Sequence, residues 1–181
     1  MTTMTALSEL TGDYVLDTAR TRIGFVARHT MGTRVRGRFD EFEGSAHLDG
    51  GDPSKSGARL TIQAQSIQTG NERRDEQLSS KFLGAGDHPA ITFTSIAVDQ
   101  VGETAFKVAG DLAIRGVTKP VAVDFELTGA ENDRMGDLRV TFRGGVTISR
   151  GDWGVNWNVA TSAAVGGKVR LEFDVAVVRQ A

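Results

Sequence analysis

The residue types that could do chemistry are few and scattered. The chain has three histidines, His29, His47 and His88, and no cysteine. A metal site draws several ligands to one point, usually His and Cys at short fixed spacings. These histidines have no such spacing, so no metal is expected. Asp87, His88 and Ser79 or Ser80 can be written as a hydrolytic triad. A triad is recognised by geometry, however, and no Gly-x-Ser-x-Gly elbow supports it. Glu72, Arg73, Arg74, Asp75 and Glu76 form a charged run. Such a run usually reads as a solvated helix face, with Arg73 or Asp75 as candidates for pinning the helix to its neighbours. Arg20, Arg22, Arg28, Arg34, Arg36 and Arg38 share one window without an acid. Spacing by two puts Arg34, Arg36 and Arg38 on one strand face, where charge also guards against edge pairing. Gly84-Ala85-Gly86 lacks the third glycine of a dinucleotide loop, and Gly166-Gly167-Lys168 lacks the spacing of a phosphate loop. No catalytic residue is therefore assigned.

The elements that would position these residues are almost all strands. Ile23, Phe25, Ala27 and His29 share one face of a strand, and Val35, Gly37 and Phe39 alternate with arginines in a ribbon from Thr33 to Leu48. Leu60, Ile62 and Ala64 follow. Phe93, then Phe106, Val108, Leu112 and Ile114, then Phe125 and Leu127, then Val140 and Phe142, then Leu171, Phe173 and Val175 each oppose charged or polar neighbours. Glycine, at 22 residues, punctuates these runs as turns, bulges or close approaches, Gly44 among them, and Gly116–Pro120 is read as a turn. Residues 1–11 lack periodicity and are expected to be a loose arm before a single domain over 12–181. One stretch breaks the alternation. Thr69 and Glu72 fit a capping box, Leu78 and Phe82 lie one helical turn apart, and Gly84 and Gly86 suit a stop. A short helical insert is expected over about 70–83. About eight antiparallel strands, apolar on one face, need a second sheet or closure into a barrel of a size that is filled or holds one small ligand.

Composition narrows the function classes. A formal net charge of −2 argues against nucleic acid as a partner. No segment approaches the apolar length of a membrane span, and the first residues do not read as a signal peptide. A cytoplasmic location is expected, which the lack of cysteine fits. Peripheral membrane contact and a homodimer stay open.

Six segments in order resemble the YceI-like family of lipocalin-like polyisoprenoid-binding proteins. They are Tyr14–Asp17 with Ile23–His29; Val35–Phe39 with Phe42–Gly44; Ser66–Asn71 with Arg74–Leu78; Pro89–Ser95; Gly110–Thr118; and Ser149–Gly154. The resemblance runs from about Gly12 to Val178. It implies an extended antiparallel lipocalin-like barrel, a long isoprenoid lipid or isoprenoid quinone as ligand, and no catalysis or cofactor. Two departures fall on the insert. Gln77 stands where the family often has histidine, and the segment after Phe82 is glycine-rich where an acidic residue commonly follows. The candidate ligand-binding residues are Phe25, His29, Phe39, Leu78, Phe82, Phe93, Ile114, Phe125 and Phe173. Two alternatives remain at this stage: an enzyme acting on a prenyl or fatty substrate in the same cavity, and a structural or partner-binding barrel with a filled core.

Overall fold

Eleven strands form one antiparallel sheet in the computed structural model, which describes residues 7–29, 34–155 and 165–180. The strands are β1 (Gly12–Leu16), β2 (Arg22–His29), β3 (Arg34–Phe39), β4 (Phe42–Leu48), β5 (Gly57–Gln63), β6 (Ile67–Gln68), β7 (Ala90–Gln100), β8 (Ala105–Ile114), β9 (Val117–Asn132), β10 (Leu138–Ser149) and β11 (Val165–Arg179). One short α-helix, α1 (Glu72–Gln77), widens into a π-helical turn at Leu78–Phe82. The order β1-β4-β5-β7-β8-β9-β10-β11 closes when β1 returns to β11, giving an eight-stranded barrel.

The wall between β11 and β5 is built twice. Toward its C-terminal end β11 pairs with β1, through Val177–Arg179, and β1 passes to β4. Earlier in β11, from Val165 to Asp174, the partner is β2, which passes to β3 and β6. The two short walls meet where Asp40 N–H donates to Ser66 O (3.2 Å) and Gln63 N–H donates to Glu41 O (2.9 Å). The ribbon expected from Thr33 to Leu48 is thus two strands that are not neighbours in the sheet. The break falls at the bend at Asp40, whose side chain accepts from Arg38 Nε at 2.8 Å on the surface.

Other expected boundaries shift for equally local reasons. The turn read as Gly116–Pro120 is only Arg115-Gly116, both at positive φ (52° and 76°), as a tight two-residue hairpin requires. Pro120 lies inside β9, in a part that pairs only with β8, so its missing N–H faces no strand. The helix cap is Asn71, whose side chain accepts from Arg74 N–H at 3.0 Å, and not Thr69. Within the stretch expected to be an arm, Leu7–Leu10 form a 3-10 turn, and Leu10 is only 3% exposed.

That turn is held by Tyr14, which is buried and donates its hydroxyl to Leu10 O at 2.7 Å. Tyr14→Phe is expected to lower stability by about 1–3 kcal/mol, since a buried carbonyl loses its partner. Burial pushes the phenol pKa above its ordinary 10.0, with Arg179 opposing. The folded state therefore favours the neutral phenol. This contribution is complete below the unfolded value and is lost as pH rises through the folded one. Thermal unfolding followed into alkaline pH should show a steeper loss in the native chain than in Tyr14→Phe.

Candidate functional site

The barrel interior is not filled. It holds two apolar chambers, one of about 180 Å³ and one of about 130 Å³. The first lies among β1, β4, β5 and the middle of β7–β11, with Leu16, Leu48, Phe106, Phe142 and Val177 in its lining. Leu10 and the turn at Asp49–Pro53 stand at one end of it. The second lies behind β2 and β3, with Phe25, Phe39, Leu78, Phe82 and Ile114 in its lining. Leu60, Phe93 and Phe173 line both chambers. The inward face of each strand supplies these residues, as period-two alternation dictates. Ring pairs brace the lining: Phe25 and Phe39 at 5.8 Å, Phe125 and Phe173 at 5.9 Å.

The helical insert covers the second chamber. Leu78 (7% exposed) and Phe82 (6%) face inward, while α1 itself buries no side chain completely. The charged run fixes its approach angle. Asp75 accepts from the Thr69 backbone N–H (2.9 Å) and from the Thr69 hydroxyl, and Arg74 donates to Thr69 Oγ1 (2.8 Å) and Thr69 O (2.9 Å). Asp75 and Arg74, not Arg73, therefore clamp the helix to the end of β6. Asp75→Ala is expected to loosen the insert, speeding amide exchange over Glu72–Phe82 while exchange in β8–β10 stays unchanged. The turn Arg150–Trp153 also contributes to the lining of the chamber. The Trp153 indole N–H donates to Leu112 O at 2.8 Å. Arg150 Nη1 donates to Val155 O and Arg115 Nη1 to Gly154 O, at 2.8 and 2.9 Å. Among the described residues Arg150 is the one charged residue in the lining of this chamber, and burial pushes its pKa down. An arginine starts so high that it stays charged.

The residues that suggested chemistry do not converge. Ser79 and Ser80 both donate their hydroxyls to Glu76 O, in the manner of helical serines. Neither is turned toward His88, whose ring packs against Gly116. His47 Nδ1 meets Asp13 Oδ1 at 2.8 Å on the exposed surface. Among the described residues no group of His, Cys, Asp and Glu could hold a metal ion. Arg34, Arg36 and Arg38 are exposed on the outer face of β3.

Of the candidate ligand-binding residues, Phe25, Phe39, Leu78, Phe82 and Ile114 line the second chamber, Phe125 the first, and Phe93 and Phe173 both. The side chain of His29 lies outside the described residues. Most of the first chamber was missed. Phe106, Phe142 and Val175 carried the right alternation, but alternation gives the direction of a side chain and not whether it meets another or borders a void. Leu10 carried no periodic signal.

A model of the YceI-like domain matches residues 14–177. A UPF0312 protein of Pseudomonas paraeruginosa is 33% identical over 179 residues, 97% of this chain and 92% of that one. Among solved structures, BcnA of Burkholderia cenocepacia superposes with a TM-score of 0.81 at 23% identity, covering 89% of this chain and 98% of that one. A polyisoprenoid binding domain from Saccharophagus degradans gives 0.74 at 17% identity, covering 92% and 98%. The chain belongs to the YceI-like family.

Proposed function

We propose that this YceI-like chain is a non-catalytic binding protein that stores or carries a long apolar isoprenoid, such as a polyisoprenoid or an isoprenoid quinone, inside its barrel. The observation that carries this reading is the pair of apolar chambers in an otherwise well-packed barrel. The polyisoprenoid named for the Saccharophagus degradans domain is consistent with it. Interiors of soluble proteins are close-packed, so voids of this size need a reason.

Magnitudes favour a long ligand over a short one. A cavity of about 150 Å³ lined by apolar side chains takes one benzene, so each chamber suits about six carbons. Burial stabilises by ~0.8 kcal/mol per CH₂, hence ~5 kcal/mol for one filled chamber. Association costs roughly 4–15 kcal/mol in lost freedom, which one chamber offsets poorly. A chain that fills both gains about 10 kcal/mol, which offsets more of that cost without polar chemistry. This is why the apolar lining, and not the scattered charges, is given the role.

Catalysis has no observed support in the geometry: Ser79 and Ser80 donate to Glu76 O, His47 meets Asp13, and His88 packs against Gly116. We infer a carrier or buffer rather than an enzyme, working in a reducing compartment such as the cytoplasm. Among the described residues no helix is long and apolar enough to cross a membrane. The test is transfer. Vesicles carrying an isoprenoid quinone are incubated with the protein and removed by centrifugation. Quinone in the supernatant in stoichiometric proportion to protein supports the proposal. None above a protein-free control contradicts it.

A further inference from the structure

The two chambers meet at a shared set of side chains. Leu60 on β5 pairs across the sheet with Phe93 on β7, and Phe173 comes from β11 on the facing wall. Among the described residues these three side chains are the lining common to both chambers. The Phe93 ring is seated by a glycine. A Cβ on Gly110 would stand 2.7 Å from Phe93 Cζ, so the ring tip lies where any other residue would put a side chain. Gly144 pairs with Phe125 on one side and Phe173 on the other, and its Cβ would stand 2.4 Å from the Phe125 ring. The absent side chain at Gly144 lets Phe125 and Phe173 meet across the intervening strand, at 5.9 Å. Gly110 thus leaves room for the Phe93 ring, and Gly144 for the Phe125 ring that packs on Phe173.

We propose that Leu60, Phe93 and Phe173 form a septum that sorts ligands by chain length. This rests on the reading that the interior binds an apolar chain, and adds how that chain is selected. A group small enough for one chamber enters without moving the rings. An isoprenoid of several units must thread between them, so the same molecule touches both chambers. Threading moves packed rings off their preferred rotamers, a penalty equivalent to roughly tenfold in affinity for two rings. Long chains repay it through the second chamber, and chains of intermediate length do not. The septum therefore disfavours common short amphiphiles and leaves long isoprenoids as ligands.

The experiment compares the native chain with Phe93→Leu, Phe173→Leu and the double variant. Toluene serves as a one-chamber probe and farnesol as a threading probe, both followed by calorimetry. Variants are first checked for native thermal unfolding. The double variant is expected to bind farnesol about tenfold more tightly relative to toluene. Intermolecular NOEs from bound farnesol to both Val177 and Leu78 are expected in every protein, which keeps the proposal testable should the double variant not fold. Farnesol affinity that is the same in all variants, a toluene change as large as the farnesol change, or NOEs to one chamber only would overturn the septum while leaving apolar binding intact. No farnesol bound by any of the proteins would overturn both.

Discussion

Trp153→Ala is expected to lower the unfolding free energy by about 3–5 kcal/mol, as for other fully buried tryptophans cut to alanine. Three losses add at this position. The indole, 3% exposed, leaves the core cluster around the second chamber. Leu112 O loses its donor, and β8 carries a buried carbonyl without that partner. The turn Arg150–Trp153 loses the side chain that ties it to the barrel, so the contact from Arg115 to Gly154 is weakened as well. Trp153→Phe separates the terms. It keeps most of the apolar body and removes only the N–H, so about 1–3 kcal/mol is expected. Urea unfolding of the three proteins measures both. Equal stability of Trp153→Phe and the native chain would show that the hydrogen bond to Leu112 contributes nothing.

Leu78→Asp is expected to undock the helical insert and empty the second chamber. Leu78 sits 7% exposed among Phe82, Ile91 and Ile114 in the apolar lining. An ionised carboxylate without a partner costs several kcal/mol there. Releasing the insert is cheaper than unfolding the barrel, because Glu72–Phe82 is joined to the sheet by the short β6 at one end and by Pro89–Ala90 at the other. Hydrogen exchange should therefore report local opening, with protection lost over Glu72–Phe82 and kept in β8–β10. Affinity for a long isoprenoid should fall at least tenfold, while Leu78→Met, a swap of similar volume, stays close to native. Unchanged exchange and unchanged affinity in Leu78→Asp would mean that the insert does not cover the ligand site.

The parts of this architecture that could be read from the chain are those fixed by local pattern. β8, β9 and β10 alternate cleanly, and their tight turns at Arg115-Gly116 and Asp133–Gly136 sit near the expected breaks. The insert was legible because Leu78 and Phe82 break the period of two. Long-range pairing was not. Nothing in Tyr14–Leu16 says that it lies between β11 and β4, and that pairing is what closes the barrel. Nothing in Arg38–Glu41 says that one ribbon splits into two walls. The chambers were illegible for a different reason. Phe93 and Phe125 carry the same alternation as the packed Val140, and only the glycines across the sheet decide where the rings lie. Gly44 read as a close approach, and so it is: a Cβ there would meet Arg59 O at 2.8 Å. The charged run misled in detail, since the clamp on Thr69 uses Arg74 beside Asp75.

The central claim is that the barrel interior holds a long apolar chain. Native mass spectrometry of the protein, purified without detergent and then offered an isoprenoid quinone, tests it most directly. The account predicts a discrete adduct at one molecule per chain, present as purified or formed on addition, and reduced in Leu78→Asp. A bare chain under both conditions, with the native fold intact, would contradict it.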